Sequence, residues 1–146
     1  MSKSLSVTFI VINIVVNNRS EFLMVQEAKS SIRGSWFFPA GRKKAKETFV
    51  ETAIRETEEE SGIICKPRAF VYMVHQINES EAFQIIMISE PIKGRLKTQE
   101  DNDTIQANWF SKAAIEKLQL RTLAVLDIIQ AYEKKSFVPI KDFYQY

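Results

Sequence analysis

Apolar positions fall into runs of two different periods. Residues 7–16 are almost continuously apolar, broken only by Thr8 and Asn13, and a second run covers residues 21–26 after the polar stretch Asn17-Asn18-Arg19-Ser20. Two such runs around a polar turn predict the strands of a hairpin. Residues 27–35 are polar, end next to Gly34 and read as a loop; Trp36-Phe37-Phe38 reads as a short aromatic strand stopped by Pro39, which has no N–H for a ladder. Residues 41–46 form a basic loop. Over 48–61 the period changes: Phe49, Ala53 and Thr57 form the inner stripe of a helix, and Gly62 stands where a helix stops. Strand-like runs follow at 63–65, 69–75 and 83–89, then a polar connection over 91–103 and another strand over 104–110. Residues 113–118 and 122–135 predict helices, the second packing through Leu123, Leu126, Ile129 and Tyr132. The aromatic segment 137–146 is expected to pack back on the body of the protein.

Strands on both sides of a central helix, with helices at the end, indicate an α/β protein in which a mixed sheet is covered by helices. At 146 residues the chain fits one domain, 1–146, with a core that needs no disulfide. The net charge of +2 spreads no broad basic field, so a stable nucleic-acid complex is not expected. The single cysteine, Cys65, excludes an internal disulfide and a multi-cysteine metal site; it reads as a small buried hydrophobe in a reducing compartment. The apolar run behind Lys3 imitates a secretory signal. It contains Ser6, Thr8 and Asn13, lacks a small-residue cleavage site and is too short to span a bilayer, so it reads as a strand of a cytoplasmic protein with no membrane partner.

The central helix carries the chemistry. Glu56, Glu58, Glu59 and Glu60 crowd its last turns, and helical spacing projects Glu56, Glu59 and Glu60 from one side while Glu58 points to solvent. Like charges at this spacing repel, and anions at a helix C-terminus oppose the macrodipole. A divalent cation reverses both penalties. Few carboxylates and much oxygen suit Mg²⁺, which keeps waters and shares phosphate oxygens; Mn²⁺ is a natural substitute.

The spacing around these acids is specific. Five residues separate Gly41 from Glu47; seven residues then separate Glu47 from Arg55-Glu56, and Glu59-Glu60, Ser61, Gly62 and Ile63 follow. Residues 41–63 resemble the signature of the Nudix (MutT-related) hydrolases at every charged and glycine position. Thr57 departs from it, standing where that family usually has an aliphatic residue. The resemblance implies an α/β/α sandwich around a mixed sheet, with the signature as a loop–helix–loop, and hydrolysis of a nucleoside diphosphate linked to another group. It implies that Glu56, Glu59, Glu60 and the Ala40 carbonyl hold the metal, that Arg55 and Glu47 keep loop and helix in register within the catalytic set, and that Gly41 allows close backbone approach. The attacking water's proton is expected on Glu56 or on an acid outside the signature. Among Glu100, Asp101 and Asp103, the last is the preferred further ligand or base.

Outside the signature, Glu27-Ala28-Lys29, the stretch 33–42, Leu96-Lys97-Thr98 and residues 106–110 look like the Nudix branch that hydrolyses oxidised guanine nucleoside diphosphates such as 8-oxo-dGDP. The expected partner is therefore a small-molecule nucleotide, with the protein acting as a monomer or homodimer. Lys29 and Arg33 are candidate phosphate contacts. Arg42, Lys43, Lys44 and Lys46 make the loop before Glu47 unusually basic and replace the usual Pro-Gly, so this loop either grips polyphosphates or is simply solvated. Strand alternation puts Phe37 opposite Trp36 and Phe38, as a candidate pocket wall, while Trp36 and Trp109 are expected in the core. His75 is expected to make only a local hydrogen bond. Other readings are a Nudix hydrolase of dinucleoside polyphosphates, ADP-ribose-type nucleotide sugars or capped RNA, and a catalytically silent Nudix-fold binding module. A structural calcium site lacks the spaced Asp/Asn loop it would need.

Overall fold

The computed structural model describes residues 4–143. Eight strands form two sheets. β1 (Val7–Val15) pairs antiparallel with β4 (Ala40–Arg42) and parallel with β6 (Glu81–Gly94); β6 pairs with β5 (Ile63–Ile77), and β5 with β8 (Val138–Pro139), giving the order β4-β1-β6-β5-β8. β2 (Phe22–Glu27) lies between β3 (Trp36–Phe37) and β7 (Thr104–Phe110) in a separate antiparallel sheet. The expected hairpin of residues 7–16 and 21–26 is therefore corrected: the two runs enter different sheets and share only an isolated bridge between Val16 and Phe22. The reason is burial on both faces. Neither run alternates apolar with polar, and such a strand takes central neighbours on both edges rather than a local hairpin partner.

Alternation along β1 sorts its side chains. Ile12 and Ile14 join Phe22, Met24, Trp36, Phe37, Phe38, Ile86 and Ile88 in one apolar cluster, which Ile115, Val125, Ile128 and Ile129 close from the other side. The last four come from α2 (Lys112–Ile115) and α3 (Ala124–Glu133). Val11 and Val15 face away, into clusters shared with Ala53, Ile85 and Met87 and with Leu23, Val25 and Cys65. That second side is covered by α1 (Phe49–Ser61), which completes the α/β/α sandwich.

The helix is fixed at both ends. Thr48 Oγ1 accepts the Glu51 N–H while the Glu51 carboxylate accepts the Thr48 N–H, each at 3.1 Å, and Gly62 closes the helix in the left-handed conformation with φ 83°. Thr57 is fully buried, and Asn13 of β1 explains it: its Nδ2 donates to Thr57 Oγ1 at 2.8 Å and to Cys65 Sγ at 3.4 Å, and Ser89 donates to its Oδ1 at 2.7 Å. A hydroxyl replaces the usual aliphatic group because a strand amide answers it.

Other boundaries shift. Residues 63–65 and 69–75 belong to one long strand whose ladder slips around Pro67. Gly41 and Arg42 are strand rather than loop. Leu123, expected to pack, is 74% exposed; the buried positions of α3 are Val125, Ile128 and Ile129. The aromatic segment does fold back: Phe137 stacks on Tyr132, Val138 and Pro139 extend the sheet, and Phe143 stacks on Phe70; positions 144–146 lie outside the described residues. His75 meets Glu81 at 2.7 Å, a local contact within the β5–β6 ladder. Among the described residues no helix is long and apolar enough to cross a membrane.

Candidate active site

Arg55 is the hub beneath the acidic helix face. Its Nε and Nη2 donate to the two oxygens of Glu47 at 2.7 and 2.9 Å, a bidentate clamp, and Nη2 also reaches the Arg42 carbonyl at 3.0 Å. Its Nη1 donates to Glu56 Oε1 at 2.7 Å and to Glu59 at 3.3 Å. Glu47 further accepts from the Lys44 N–H and the Thr52 hydroxyl. Loop 43–47 is thereby tied to α1. The Arg55 guanidinium holds the Glu47 carboxyl down at about 2, and Glu47 in turn raises the pKa of Arg55.

The other acids have the opposite balance. Burial pushes Glu56 up despite its bond to Arg55, and nearby Glu59 and Glu47 push the same way. Glu60 is pushed up to about 8, first by desolvation and then by the charges of Glu56, Glu27 and Asp103; only the Ala40 N–H, donating at 2.8 Å, lowers it. Gly41 has no side chain for a physical reason: a Cβ there would fall inside contact distance of the Glu56 carboxylate, so the strand lies directly against that acid. Lys97 offsets the acidic helix end, its Nζ bonding to the Glu59 carbonyl and to Asp101.

A cleft of about 340 Å³ opens over this face. It gathers Glu56, Glu59 and Glu60 from α1, Ala40, Gly41 and Arg42 from β4, and Glu27, Lys29, Phe38, Asp103 and Arg121 from other segments. Of the site residues singled out from the sequence, Glu47, Arg55, Phe37 and Arg33 are not among its lining; the first two act on it through Arg55's bonds to Glu56 and Glu59. Phe37 is buried in the apolar cluster beneath Arg121; Phe38 is buried in the same cluster, at 1% exposure, where it borders the floor of the cleft. Arg33 is bound to Glu100 at 2.6 Å. Of the basic loop only Arg42 reaches the cleft. Glu58 is exposed as expected. Sequence reasoning missed Glu27, Arg121 and Lys97. Glu27 carried one signal, a carboxylate ending an otherwise buried apolar strand; Arg121 carried none.

The donor set fits a hard divalent cation. No three described acidic, His or Cys side chains are already gathered around one point, because Arg55 draws on Glu56 and Glu59 while Ala40 holds Glu60. Yet the cleft confines more negative charge than its buried surroundings tolerate, and oxygen donors from one helix face and one backbone edge surround it.

Fold and cleft together define an α/β protein with an acidic helix face opening onto one cleft. The NUDIX domain family model matches residues 7–130, and the chain belongs to this family. Family members generally use divalent metal ions and act on small nucleotides. The chain is 34% identical over 129 residues to the mouse protein named 8-oxo-dGDP phosphatase NUDT18, covering 86% of this chain and 38% of that protein. It thus spans less than half the length of that relative. It is 32% identical to Phosphatase NudJ of Shigella boydii, covering 87% of this chain and 84% of the other. The solved NUDIX hydrolase from Nitrosomonas europaea superposes with a TM-score of 0.84 over 97% of both chains at 20% identity, a likeness of fold.

Proposed function

We propose that the protein hydrolyses 8-oxo-dGDP with one water to 8-oxo-dGMP and inorganic phosphate, as a Mg²⁺-dependent enzyme able to use Mn²⁺ and acting in the cytoplasm as a single domain, monomeric or homodimeric. The observation that carries the hydrolytic half is the opening of Glu56, Glu59, Glu60 and the Ala40 backbone onto one cleft, wired through Arg55 to Glu47. The substrate half is supported by the identity to the mouse 8-oxo-dGDP phosphatase across most of the chain.

In this reading Glu56, Glu59, Glu60 and the Ala40 carbonyl hold the metal, with Asp103 as a further ligand or base. When bound, the metal polarises a phosphoryl oxygen and acidifies water. The protein's own part is positioning. Arg42 and Lys29, both lining the cleft, flank the phosphate chain. Arg55 fixes one oxygen of Glu56 and leaves the other free for the metal, and the proton of the attacking water goes to Asp103 or to Glu56. Gly41 keeps the strand low enough for substrate to reach this acid.

A second reading, a phosphatase of another nucleotide, is favoured by the comparable identity to Phosphatase NudJ over nearly that protein's whole length. The deciding experiment is a turnover panel with Mg²⁺ comparing 8-oxo-dGDP, 8-oxo-dGTP, dGDP, ADP-ribose and diadenosine polyphosphates. Preference for 8-oxo-dGDP is expected. Preference for another compound retains the catalytic helix and discards the oxidised-guanine substrate.

A further inference from the structure

We propose that Glu27 and Arg121 are the base-reading pair of the cleft, selecting bases with a ring N–H beside a carbonyl, as guanine and 8-oxoguanine have; this rests on the nucleotide-hydrolase reading above. Glu27 ends β2 with only 6% exposure, where the ladder to β7 slips by one residue, an irregularity that re-aims a strand side chain. Its Oε1 accepts from Arg121 Nη1 at 3.0 Å, and its other oxygen has no protein partner among the described residues. That oxygen belongs to a cleft-lining side chain and is free to accept from a ligand. The helix acids are held by Arg55 and Ala40; Glu27 shares the cleft with them but comes from β2 and is paired with Arg121.

Arg121 is equally placed for recognition. Its N–H donates to the Trp36 carbonyl at 3.0 Å and Leu120 bridges Trp36, so the backbone is pinned beside β3. Its guanidinium lies over the Phe37 ring, 5.4 Å from the centroid, while the side chain stays 43% exposed. Only Nη1 has a hydrogen-bond acceptor in the protein among the described residues. A carboxylate only accepts and a guanidinium only donates. Side by side, they complement an edge on which donor and acceptor are adjacent: the N1–H and exocyclic amine of guanine to Glu27, and its O6 to Arg121. Oxidation at C8 leaves that edge unchanged. In adenine the ring nitrogen of that edge is an acceptor, and it would face the carboxylate. A phosphate is the poorer occupant, because Glu27 already counters the charge of Arg121 and would repel an anion. A flat, nearly neutral pair stacked on an aromatic ring suits a neutral planar group.

The test uses the whole chain with Mg²⁺ and measures kcat and KM for 8-oxo-dGDP, dADP and base-free 2-deoxyribose 5-diphosphate in wild type, Glu27→Gln and Arg121→Lys. The amide of Glu27→Gln offers one donor and one acceptor, which matches adenine. Its ratio of kcat/KM for 8-oxo-dGDP over dADP should fall roughly 5- to 150-fold, mainly through KM and partly through a gain on dADP. Arg121→Lys keeps the charge, loses the fork and should move the ratio in the same direction; it decides the matter if Glu27→Gln does not fold by near-UV circular dichroism. Equal losses on all three compounds would overturn the proposal by assigning the pair to phosphate binding or folding. A wild-type preference for 8-oxo-dGDP that survives both variants would overturn the pair alone. No wild-type preference would overturn the substrate assignment and this inference together.

Discussion

The two faces of the central sheet are built on different principles. The side covered by α2 and α3 is closed by the apolar side chains of Phe22, Trp36, Phe38, Ile86, Val125 and Ile129. The side covered by α1 buries Asn13, Thr52, Thr57, Ser61 and Ser89 beside its apolar residues. Apolar packing is non-directional and tolerates sliding, whereas a buried hydrogen-bonded network accepts one arrangement. The helix with directional bonds is the one that must present Glu56, Glu59 and Glu60 at fixed height over Gly41. The acids themselves divide in the same way: the clamp on Glu47 holds its carboxyl down at about 2, while desolvation pushes Glu60 up to about 8 in the metal-free fold.

The largest expected effect separates site from scaffold. Glu59→Gln should lower kcat/KM by about 10²-fold or more with the melting temperature scarcely changed; steady-state kinetics beside a thermal melt checks this, and retained activity would remove Glu59 from the metal site. Ile129→Ala, on the apolar side, should do the reverse, costing about 2–5 kcal/mol by urea titration while turnover per folded molecule persists. Thr57→Val leaves Asn13 Nδ2 without its oxygen acceptor and should cost about 1–3 kcal/mol. Unlike Ile129→Ala, it should also reduce turnover, and a purely structural loss would break the contrast between the faces.

The smallest effect is a matter of pH. In the unfolded chain both glutamates titrate near 4.5. Glu47, at about 2 in the fold, contributes stability that is full above 4.5 and lost as pH falls toward 2. Glu60, at about 8, keeps a proton that the unfolded chain releases, so the metal-free fold loses stability as pH rises from 4.5 to 8. In EDTA, the melting temperature of Glu60→Gln should therefore gain on wild type across pH 5–8, while Glu47→Gln should lose its disadvantage below pH 4. Parallel curves would show that the acids are not so divided.

Much of this was readable in one dimension. The helix was legible from its stripe and from Gly62, and the acidic face from i, i+3 and i+4 spacing, because helical geometry is local and repeats along the chain. The spacing from Gly41 to Ile63 identified the family for the same reason. The doubly buried strands were legible as strands, but their partners were not: continuous apolar runs such as residues 7–16 carry no alternation to say which face meets which neighbour, and a parallel pairing like that of β1 with β6 joins residues far apart in sequence. Only the tertiary structure set Asn13 against Thr57, buried Phe37 with Phe38 in one apolar cluster, and brought Arg121 across ninety-four positions to Glu27. Chemistry written within one helix is fixed by local geometry, whereas contacts between distant segments exist only once the sheet has closed.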